Sequence, residues 1–303
     1  MTTTKHPLAH LIPDPAIAAG YISRRVGGVA VSDSSGNPTG AVQGGEIDLN
    51  VLNYCWLRSQ SDKRLCAPRL IGPTGSGKSH VVLAFAATKG LPVVTLQCSE
   101  GFDALSVFGR YIPSPSGSGI EWQDSEILTV IKEGGILYLD EINFLTGSQT
   151  AVFHSLLDSR RGVNIIDLGN IWVEAHADLF VVATYNENYE GTRRLNEAFQ
   201  NRFQLPIEWG YDEAVELALT GSESLVKVAN EIRTLHRAGA ISTTVPTNAL
   251  TEFCTFAYDI DVVFALEGFL QRFPQSERAS VRERLLVEDL LQKIATEIAD
   301  HNS

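Results

Sequence analysis

A glycine-rich octet places the strongest constraint on how this chain can fold. Its residues, Gly72-Pro73-Thr74-Gly75-Ser76-Gly77-Lys78-Ser79, fit the pattern G-x-x-x-x-G-K-[ST] in full. Phosphate oxygens need several backbone N–H groups converging on one point, and a glycine-rich turn lets the chain curl that tightly. The apolar stretch Arg69-Leu70-Ile71 precedes the octet as the end of a strand, and Ser79–Thr88 follows it as a helix whose N-terminus favours anions. The octet therefore predicts a strand–loop–helix unit that binds a nucleoside triphosphate.

Individual residues of this octet have expected tasks in holding the phosphates. Lys78 should reach the outer phosphates, and the Ser79 hydroxyl should bind Mg²⁺. The chain contains no N-K-x-D guanine motif, so ATP is expected rather than GTP. The expected cofactors are therefore ATP and Mg²⁺. The expected nucleotide-binding set is the octet with the next helical residue: Gly72, Pro73, Thr74, Gly75, Ser76, Gly77, Lys78, Ser79 and His80.

A pair of carboxylates follows a buried strand 62 residues after Lys78. Gly135–Leu139 is an apolar run, and Asp140 and Glu141 come directly after it. Ligands of α/β folds bind at the carboxyl ends of the strands, which is where this pair would lie. Asp140 is expected to bind Mg²⁺, as the Walker-B aspartate does, and Glu141 is expected to orient and polarise the attacking water.

Apolar runs and turn-rich gaps alternate from residue 69 onwards. Three runs are interpreted as buried strands: Leu91–Gln97, Gly135–Leu139 and Leu179–Thr184. Helices are expected at Ser79–Thr88, Ser125–Lys132, Ser148–Ser159 and Leu195–Asn201. Two hairpins are expected, at Tyr111–Trp122 and by pairing of Val163–Ile166 with Ile171–Val173. The alternation predicts a mainly parallel sheet with helices on both faces.

The pattern changes after Pro206, where no further strand is expected and the rest is helical. The predicted fold class is therefore an α/β P-loop NTPase followed by a small all-α lid. Three segments are predicted: an irregular N-terminal segment at 1–50, the nucleotide-binding domain with two inserted hairpins at 51–210, and the helical lid at 211–303.

Composition excludes several classes of function. The chain has 303 residues, with 24 Lys and Arg against 36 Asp and Glu, so its net charge of −12 argues against a protein that coats nucleic acid. Its apolar runs are too short to cross a bilayer, and Met1–His6 lacks an apolar signal core, so a cytoplasmic location is expected. The four cysteines form no C-x-x-C pair, which favours reduced, buried thiols.

Two further residues have open interpretations. Asn186 follows the run Leu179–Thr184, where its amide could hydrogen-bond the attacking water or the γ-phosphate, but asparagine is also common in strand-terminal turns. Arg202 ends the helix that begins near Leu195, where it could stabilise transition-state charge in a neighbouring subunit. A surface arginine, favoured there by the helix dipole, is the preferred interpretation from these residues alone.

The order of these motifs resembles that of the AAA+ ATPases, and more narrowly the MoxR branch with its CbbQ/NorQ-type activators. The similar pieces are GPTGSGKS at Gly72–Ser79, Phe108–Tyr111, Glu121–Asp124, GGILYLDE at Gly134–Glu141, LLDSRRG at Leu156–Gly162, ATYN at Ala183–Asn186, and Asn201-Arg202-Phe203. They cover roughly residues 65–260. The two expected hairpins fall where this branch carries extra hairpins, which face the ring pore in relatives.

The resemblance implies roles that the residues alone leave open. Asn186 falls on the sensor-1 position and Arg202 on the arginine-finger position, so the implied catalytic set is Lys78, Glu141, Asn186 and Arg202. It also implies a homo-oligomeric ring, expected to be a hexamer. The implied partners are a protein with a von Willebrand A domain and a protein client that is remodelled, activated or loaded with metal.

One departure concerns the sensor-2 arginine that relatives carry early in the lid. Asn248 stands at the comparable position here, so either Arg233 or Arg237 substitutes, or the lid senses the γ-phosphate weakly. Arg160 and Arg161 could contact the nucleotide of a neighbouring subunit or form salt bridges at a subunit interface, and the interface is the favoured interpretation. Two other functions are less favoured. A nucleic-acid motor is disfavoured by the charge and by the lack of a basic stripe with interleaved aromatics, and a non-hydrolysing nucleotide-gated scaffold is disfavoured by the intact Asp140–Glu141 pair.

Overall fold

The computed structural model describes residues 6–24, 29–32, 38–42, 48–61, 66–104, 106–115, 117, 119–186, 195–285 and 289–302. The chain forms two compact units. The first comprises Met1–Gly72 and Lys78–Trp209, and the second comprises Pro73–Gly77 and Gly210–Ser303. This division differs from the predicted scheme in two ways. Residues 1–50 belong to the first unit, and the loop Pro73–Gly77 groups with the helices that follow Gly210.

The first unit is built on a five-stranded parallel sheet. The strands are β3 (Pro68–Ile71), β4 (Val93–Gln97), β7 (Gly135–Asp140), β10 (Leu179–Tyr185) and β11 (Leu205–Glu208), in the order β11-β3-β10-β7-β4. Every pairing among these five is parallel, which confirms the predicted sheet. β7 and β10 are buried almost throughout, as expected for strands covered on both faces. The carboxyl ends of β3, β7 and β10 therefore meet at one edge of the sheet.

Helices cover both faces of this sheet. Ile136 and Tyr138 of β7 pack in one apolar cluster with Val51 of α2 (Asp48–Ser61) and Phe85 of α3 (Lys78–Lys89). Their neighbours in the strand, such as Leu137, pack in a second cluster with α4 (Glu126–Glu133). The alternation follows from the two-residue period of a strand.

The strand β11 corrects the expectation that no strand follows Pro206. Leu205 and Ile207 are buried, whereas Pro206 and Glu208 are exposed. Four residues that alternate in this way make no apolar run, so the sequence gives little signal. Proline is tolerated because β11 pairs with β3 alone, at the edge of the sheet.

The expected helix at Ser148–Ser159 is also wrong. Helix α5 spans only Gly147–Ala151, and residues 152–160 follow as turns. The Phe153 and His154 amides donate to carbonyls three residues earlier, at Thr150 and Ala151, rather than four. This tighter winding still buries Phe153, Leu156 and Leu157, whose spacing had suggested a helix. Helix α6 (Glu197–Gln200) is likewise shorter than predicted.

The described part of the first unit also contains three antiparallel hairpins. They pair β1 (Val29–Ser32) with β2 (Pro38–Val42), β5 (Gly109–Pro113) with β6 (Ile120–Asp124), and β8 (Gly162–Ile165) with β9 (Ile171–Glu174). The last two confirm the predicted hairpins. The Tyr111 hydroxyl of β5 donates to the Asp167 carbonyl between β8 and β9, at 3.2 Å, so these two hairpins are in contact. A short helix, α1 (Pro15–Ala19), precedes them all.

The described residues of the second unit form six helices with a core of their own. They are α7 (Glu213–Thr220), α8 (Glu223–Arg237), α9 (Thr247–Asp259), α10 (Val262–Leu270), α11 (Gln275–Leu285) and α12 (Leu290–His301). Ile232, Leu250, Phe253 and Ile294 are among the residues of this core. Helices in the described part of the chain are too short or too polar to span a membrane. All four cysteines are buried free thiols.

Candidate active site

The loop that follows β3 begins at a glycine that no other residue can replace without displacing backbone. A Cβ on Gly72 would lie 1.9 Å from the Trp209 carbonyl oxygen. The Gly72 amide donates to the Tyr185 carbonyl of β10 at 3.0 Å. Its own carbonyl accepts a hydrogen bond from Nζ of Lys78 at 2.9 Å. The first residue of the octet therefore holds the lysine that is expected to reach the phosphates.

The central part of the octet, Pro73–Gly77, is held by residues of the helical unit. The Tyr211 hydroxyl donates to the Thr74 carbonyl at 3.0 Å, and the Thr247 amide donates to the Gly75 carbonyl at 3.1 Å. Gly75 has a φ of 69°, in the left-handed region. A Cβ there would also lie 2.4 Å from Cβ of Pro246. Both the backbone conformation and the close packing explain why the loop needs glycine at this position.

Asp140 ends β7 within a network of hydroxyl groups. The Tyr138 hydroxyl lies 2.6 Å from Oδ1 of Asp140 and 2.9 Å from Oγ of Ser79. Oγ1 of Thr184 on β10 donates to the same Oδ1 at 2.5 Å. Burial, together with the nearby Asp140 charge, raises the pKa of Tyr138, so its hydroxyl keeps its proton. The network joins the two residues expected to bind the metal, Ser79 and Asp140.

Glu141 follows in a left-handed conformation, with φ 57° and ψ 52°. A non-glycine residue in this region stores strain, which commonly marks a functional position. Its amide donates to Oγ1 of Thr184 at 2.9 Å. Its carboxylate accepts from Nδ2 of Asn186 at 2.5 Å and from Nε2 of Gln97 at 3.3 Å. The side chain is therefore fixed by amides from the two strands that flank β7.

Asn186 is itself held firmly. It is 4% exposed, and its amide donates to Oδ1 of the buried Asn143 at 3.2 Å. Its side-chain Oδ1 has no hydrogen-bond partner among the described residues. The structure thus brings together Lys78, Ser79, Asp140, Glu141 and Asn186.

The charges in this cluster perturb one another. Burial lowers the pKa of Lys78 to about 8, and the charges of Asp140 and Glu141 offset only part of this effect. Burial first, and the Asp140 charge second, raise the pKa of Glu141. A buried lysine with a perturbed pKa beside two carboxylates is a candidate functional position.

The oxygen atoms around Asp140 suit a small, hard cation. Within the residues that the structure describes, no three His, Cys, Asp or Glu side chains gather to hold a metal unaided. Mg²⁺ is usually bound by one or two protein oxygens together with the phosphates of a nucleotide. The Ser79 hydroxyl and the Asp140 carboxylate supply this kind of donor set.

Comparison with known proteins agrees with this geometry. A family model for the AAA domain of the dynein-related subfamily matches residues 69–203. Protein CbbQ of Hydrogenophilus thermoluteolus is 36% identical over 162 residues, which make up 53% of this chain and 59% of CbbQ. Protein NorQ of Paracoccus denitrificans is 33% identical over 177 residues, 55% of this chain and 64% of NorQ. An uncharacterized protein of Staphylococcus aureus USA300 is 30% identical over 218 residues, 67% of this chain and 81% of that protein. Residues 69–203 are an AAA domain of the dynein-related subfamily.

The matches to CbbQ and NorQ confirm the resemblance expected from the order of motifs. The chain spans less than two thirds of the length of either relative, 59% of CbbQ and 64% of NorQ.

Arg202 is not joined to the cluster by any contact that the structure describes. Its Nε donates to the His154 carbonyl at 3.2 Å, and Nη1 donates to the Ala198 carbonyl at 2.5 Å. Burial, followed by the Arg202 charge, lowers the pKa of His154.

Arg160 forms an ion pair with Asp158 at 2.7 Å, whereas Arg161 donates to the Ser59 carbonyl at 3.0 Å. His80 is exposed, with its ring centroid 5.4 Å from that of Tyr21.

Arg233 is buried in the interior of the helical unit. It is one of the two candidates for the missing sensor-2 arginine. Its guanidinium makes two hydrogen bonds to the Glu216 carboxylate, at 2.6 and 2.7 Å, and lies 3.7 Å from the centre of the Tyr211 ring. Nε donates to the Val245 carbonyl at 2.8 Å. Arg237 is exposed and donates to Oγ1 of Thr234 at 3.2 Å. Asn248 packs beside the phosphate loop, since a Cβ on Gly75 would lie 2.9 Å from its Oδ1.

Sequence reasoning missed three polar side chains of the site: Gln97, Tyr138 and Thr184. Tyr138 stands two residues before Asp140 and thus on the same face of β7, which was an available signal. Gln97 and Thr184 lie on neighbouring strands, and their proximity depends on the register of the sheet.

Proposed function

We propose that this AAA ATPase hydrolyses ATP with Mg²⁺ at the cluster around Asp140. Residues 72–80 would bind the nucleotide, with the Lys78 ammonium on the outer phosphates. Ser79 and Asp140 would hold Mg²⁺, which supplies positive charge to the β- and γ-phosphate oxygens when bound. The observation that carries this proposal is the fixed Glu141 carboxylate, held by Asn186 and Gln97 in a strained backbone conformation beside Lys78 and Asp140.

Glu141 would orient and polarise the attacking water. Its raised pKa makes it a better proton acceptor than an exposed glutamate. Asn186 would act on Glu141 by fixing the direction of its carboxylate. The side-chain Oδ1 of Asn186 would accept a hydrogen bond from the attacking water or from a hydroxyl group of the reacting centre.

Arg202 would complete the site of a neighbouring subunit. Its guanidinium is half-buried and is held by two backbone carbonyls, which position the charge. An arginine supplied in trans stabilises the charge that develops on the transferred phosphoryl group. This role requires a homo-oligomeric ring, and we propose a hexamer.

The two joined hairpins, β5–β6 and β8–β9, would contact a protein client. They expose large apolar side chains, an arrangement that commonly marks a protein-binding surface: Tyr111, Ile120, Ile166, Ile171 and Trp172. In keeping with the similarity to CbbQ and NorQ, we propose that hydrolysis remodels or activates this client, or assists insertion of a metal into it. A von Willebrand A domain protein is the proposed adaptor.

The substitution Glu141→Gln tests the catalytic assignment. This variant should bind a fluorescent ATP analogue in Mg²⁺ as tightly as the native protein, while its release of phosphate should fall by at least 100-fold, because the amide cannot accept a proton. Glu133→Gln, on the exposed end of α4, is the matched control and should leave both unchanged. Retained turnover in Glu141→Gln would overturn the role given to Glu141.

A further inference from the structure

The hydroxyl groups between Ser79 and Asp140 form a directed chain. A carboxylate accepts hydrogen bonds but donates none, so at 2.6 Å the Tyr138 hydroxyl must donate to Oδ1 of Asp140. A phenol carries one hydrogen, and this bond uses it. The 2.9 Å contact between Ser79 and Tyr138 is therefore a bond in which Ser79 donates and the phenol oxygen accepts.

This direction leaves the lone pairs of Ser79 available. A serine hydroxyl has one hydrogen and two lone pairs, and only a lone pair can bind a cation. Because the hydrogen is directed at Tyr138, the electron-rich side of the oxygen is left for a metal. Without the phenol, the Ser79 hydrogen would lose the acceptor that fixes its direction.

The same phenol orients Asp140. Oδ1 accepts from Tyr138 and from Thr184, whereas Oδ2 accepts no hydrogen bond among the described residues. Tyr138 is 2% exposed and Thr184 is fully buried, so water does not compete for these bonds. Two donors on one oxygen fix the plane of the carboxylate and leave Oδ2 as the metal-binding atom.

We propose that Tyr138 is a positioning residue for Mg²⁺. It directs the Ser79 hydrogen away from the ion and leaves Oδ2 of Asp140 free to bind the ion. The inference rests on the proposed Mg²⁺–ATP site. Tyr138 touches neither metal nor nucleotide and acts through Ser79 and Asp140. Residues in such outer positions commonly change metal affinity by about 10- to 100-fold when they are replaced.

The substitution Tyr138→Phe removes the hydroxyl and keeps the ring, which packs beside Ile136 and Phe180. The measurement is binding of a fluorescent ATP analogue, titrated with Mg²⁺ and repeated in EDTA. The Mg²⁺ concentration for half-maximal binding should rise about 10-fold or more, whereas binding in EDTA should stay within about twofold of the native protein. Tyr258→Phe, on the exposed part of α9, is the matched control and should change neither.

The outcomes separate this inference from the proposed function. An unchanged Mg²⁺ requirement in Tyr138→Phe, with a native protein that binds Mg²⁺–ATP, overturns the positioning role alone. Failure of the native protein to bind Mg²⁺–ATP overturns both. If Tyr138→Phe does not fold, Thr184→Val removes the other donor to Oδ1 and should raise the Mg²⁺ requirement in the same direction. An unchanged Mg²⁺ requirement in that variant also counts against the inference.

Discussion

Replacing Arg233 by methionine removes the cation from a buried ion pair of the helical unit. The side chain of Arg233 is 5% exposed, and that of its partner Glu216 is 0% exposed. Methionine fills most of the volume of the arginine stem but makes no hydrogen bonds. Glu216 would then retain only the Thr247 hydroxyl, which donates to it at 2.6 Å.

The size of the effect follows from the burial of the remaining charge. Removing one partner of a buried pair typically costs about 3–5 kcal/mol, because the other charge stays desolvated without compensation. The Val245 carbonyl also loses its donor. Taking a urea dependence of about 2 kcal/mol per molar, the midpoint for unfolding of the helical unit should fall by about 1.5–2.5 M.

The two units can be followed separately during unfolding. All four tryptophans, Trp56, Trp122, Trp172 and Trp209, belong to the first unit, whereas helices α7–α12 belong to the second. Far-ultraviolet circular dichroism in urea should therefore show the loss in Arg233→Met, with a smaller change in tryptophan fluorescence. Arg237→Met, one turn further along α8 and exposed, is the matched control and should unfold like the native protein.

A contrary result has a definite meaning. If Arg233→Met is as stable as the native protein yet loses ATP turnover, then Arg233 senses nucleotide and its burial in the helical unit is misinterpreted. Combining Arg233→Met with Glu216→Leu should recover much of the lost stability, because apolar replacement of a whole buried pair is often neutral.

Two further predictions concern the chemistry of the site. Asn186→Ala should lower kcat by about 10²-fold with little change in KM, since Glu141 loses the amide that fixes it; an unchanged kcat would contradict that positioning. The value of kcat/KM should fall above about pH 8, because Lys78 loses its proton there. On the acid side, kcat/KM should fall at a pH above 4.5, the ordinary pKa of a glutamate, because the pKa of Glu141 is raised. A profile that stays flat through pH 9 would refute the lowered pKa of Lys78.

Local sequence patterns were sufficient for the parts of the site that lie on one continuous stretch of chain. The octet Gly72–Ser79 predicts a strand, a turn and a helix, because its glycines, its lysine and the flanking apolar residues all act over a few positions. Asp140 and Glu141 are predictable for the same reason, since a buried strand that ends in two carboxylates places them at the sheet edge.

Other parts depend on contacts between distant residues, which a local pattern does not encode. Thr184 reaches Asp140 because β10 pairs with β7 in a register that sets Ala183 opposite Leu139. The burial of Arg233 follows from the packing of α7 against α8, which brings Glu216 to it. The helix expected at Ser148–Ser159 failed because apolar spacing reports burial, and a series of turns buries Phe153, Leu156 and Leu157 equally well.

We propose a Mg²⁺-dependent ATPase whose site is completed by Arg202 of a second subunit. Phosphate release per subunit, measured across a wide range of protein concentration, tests this proposal most directly. Specific activity should climb with concentration and then level. Arg202→Ala should stay inactive over the whole range, and Glu141→Gln subunits mixed with it should restore turnover. Constant specific activity at all concentrations, with Arg202→Ala as active as the native protein, would contradict the proposal.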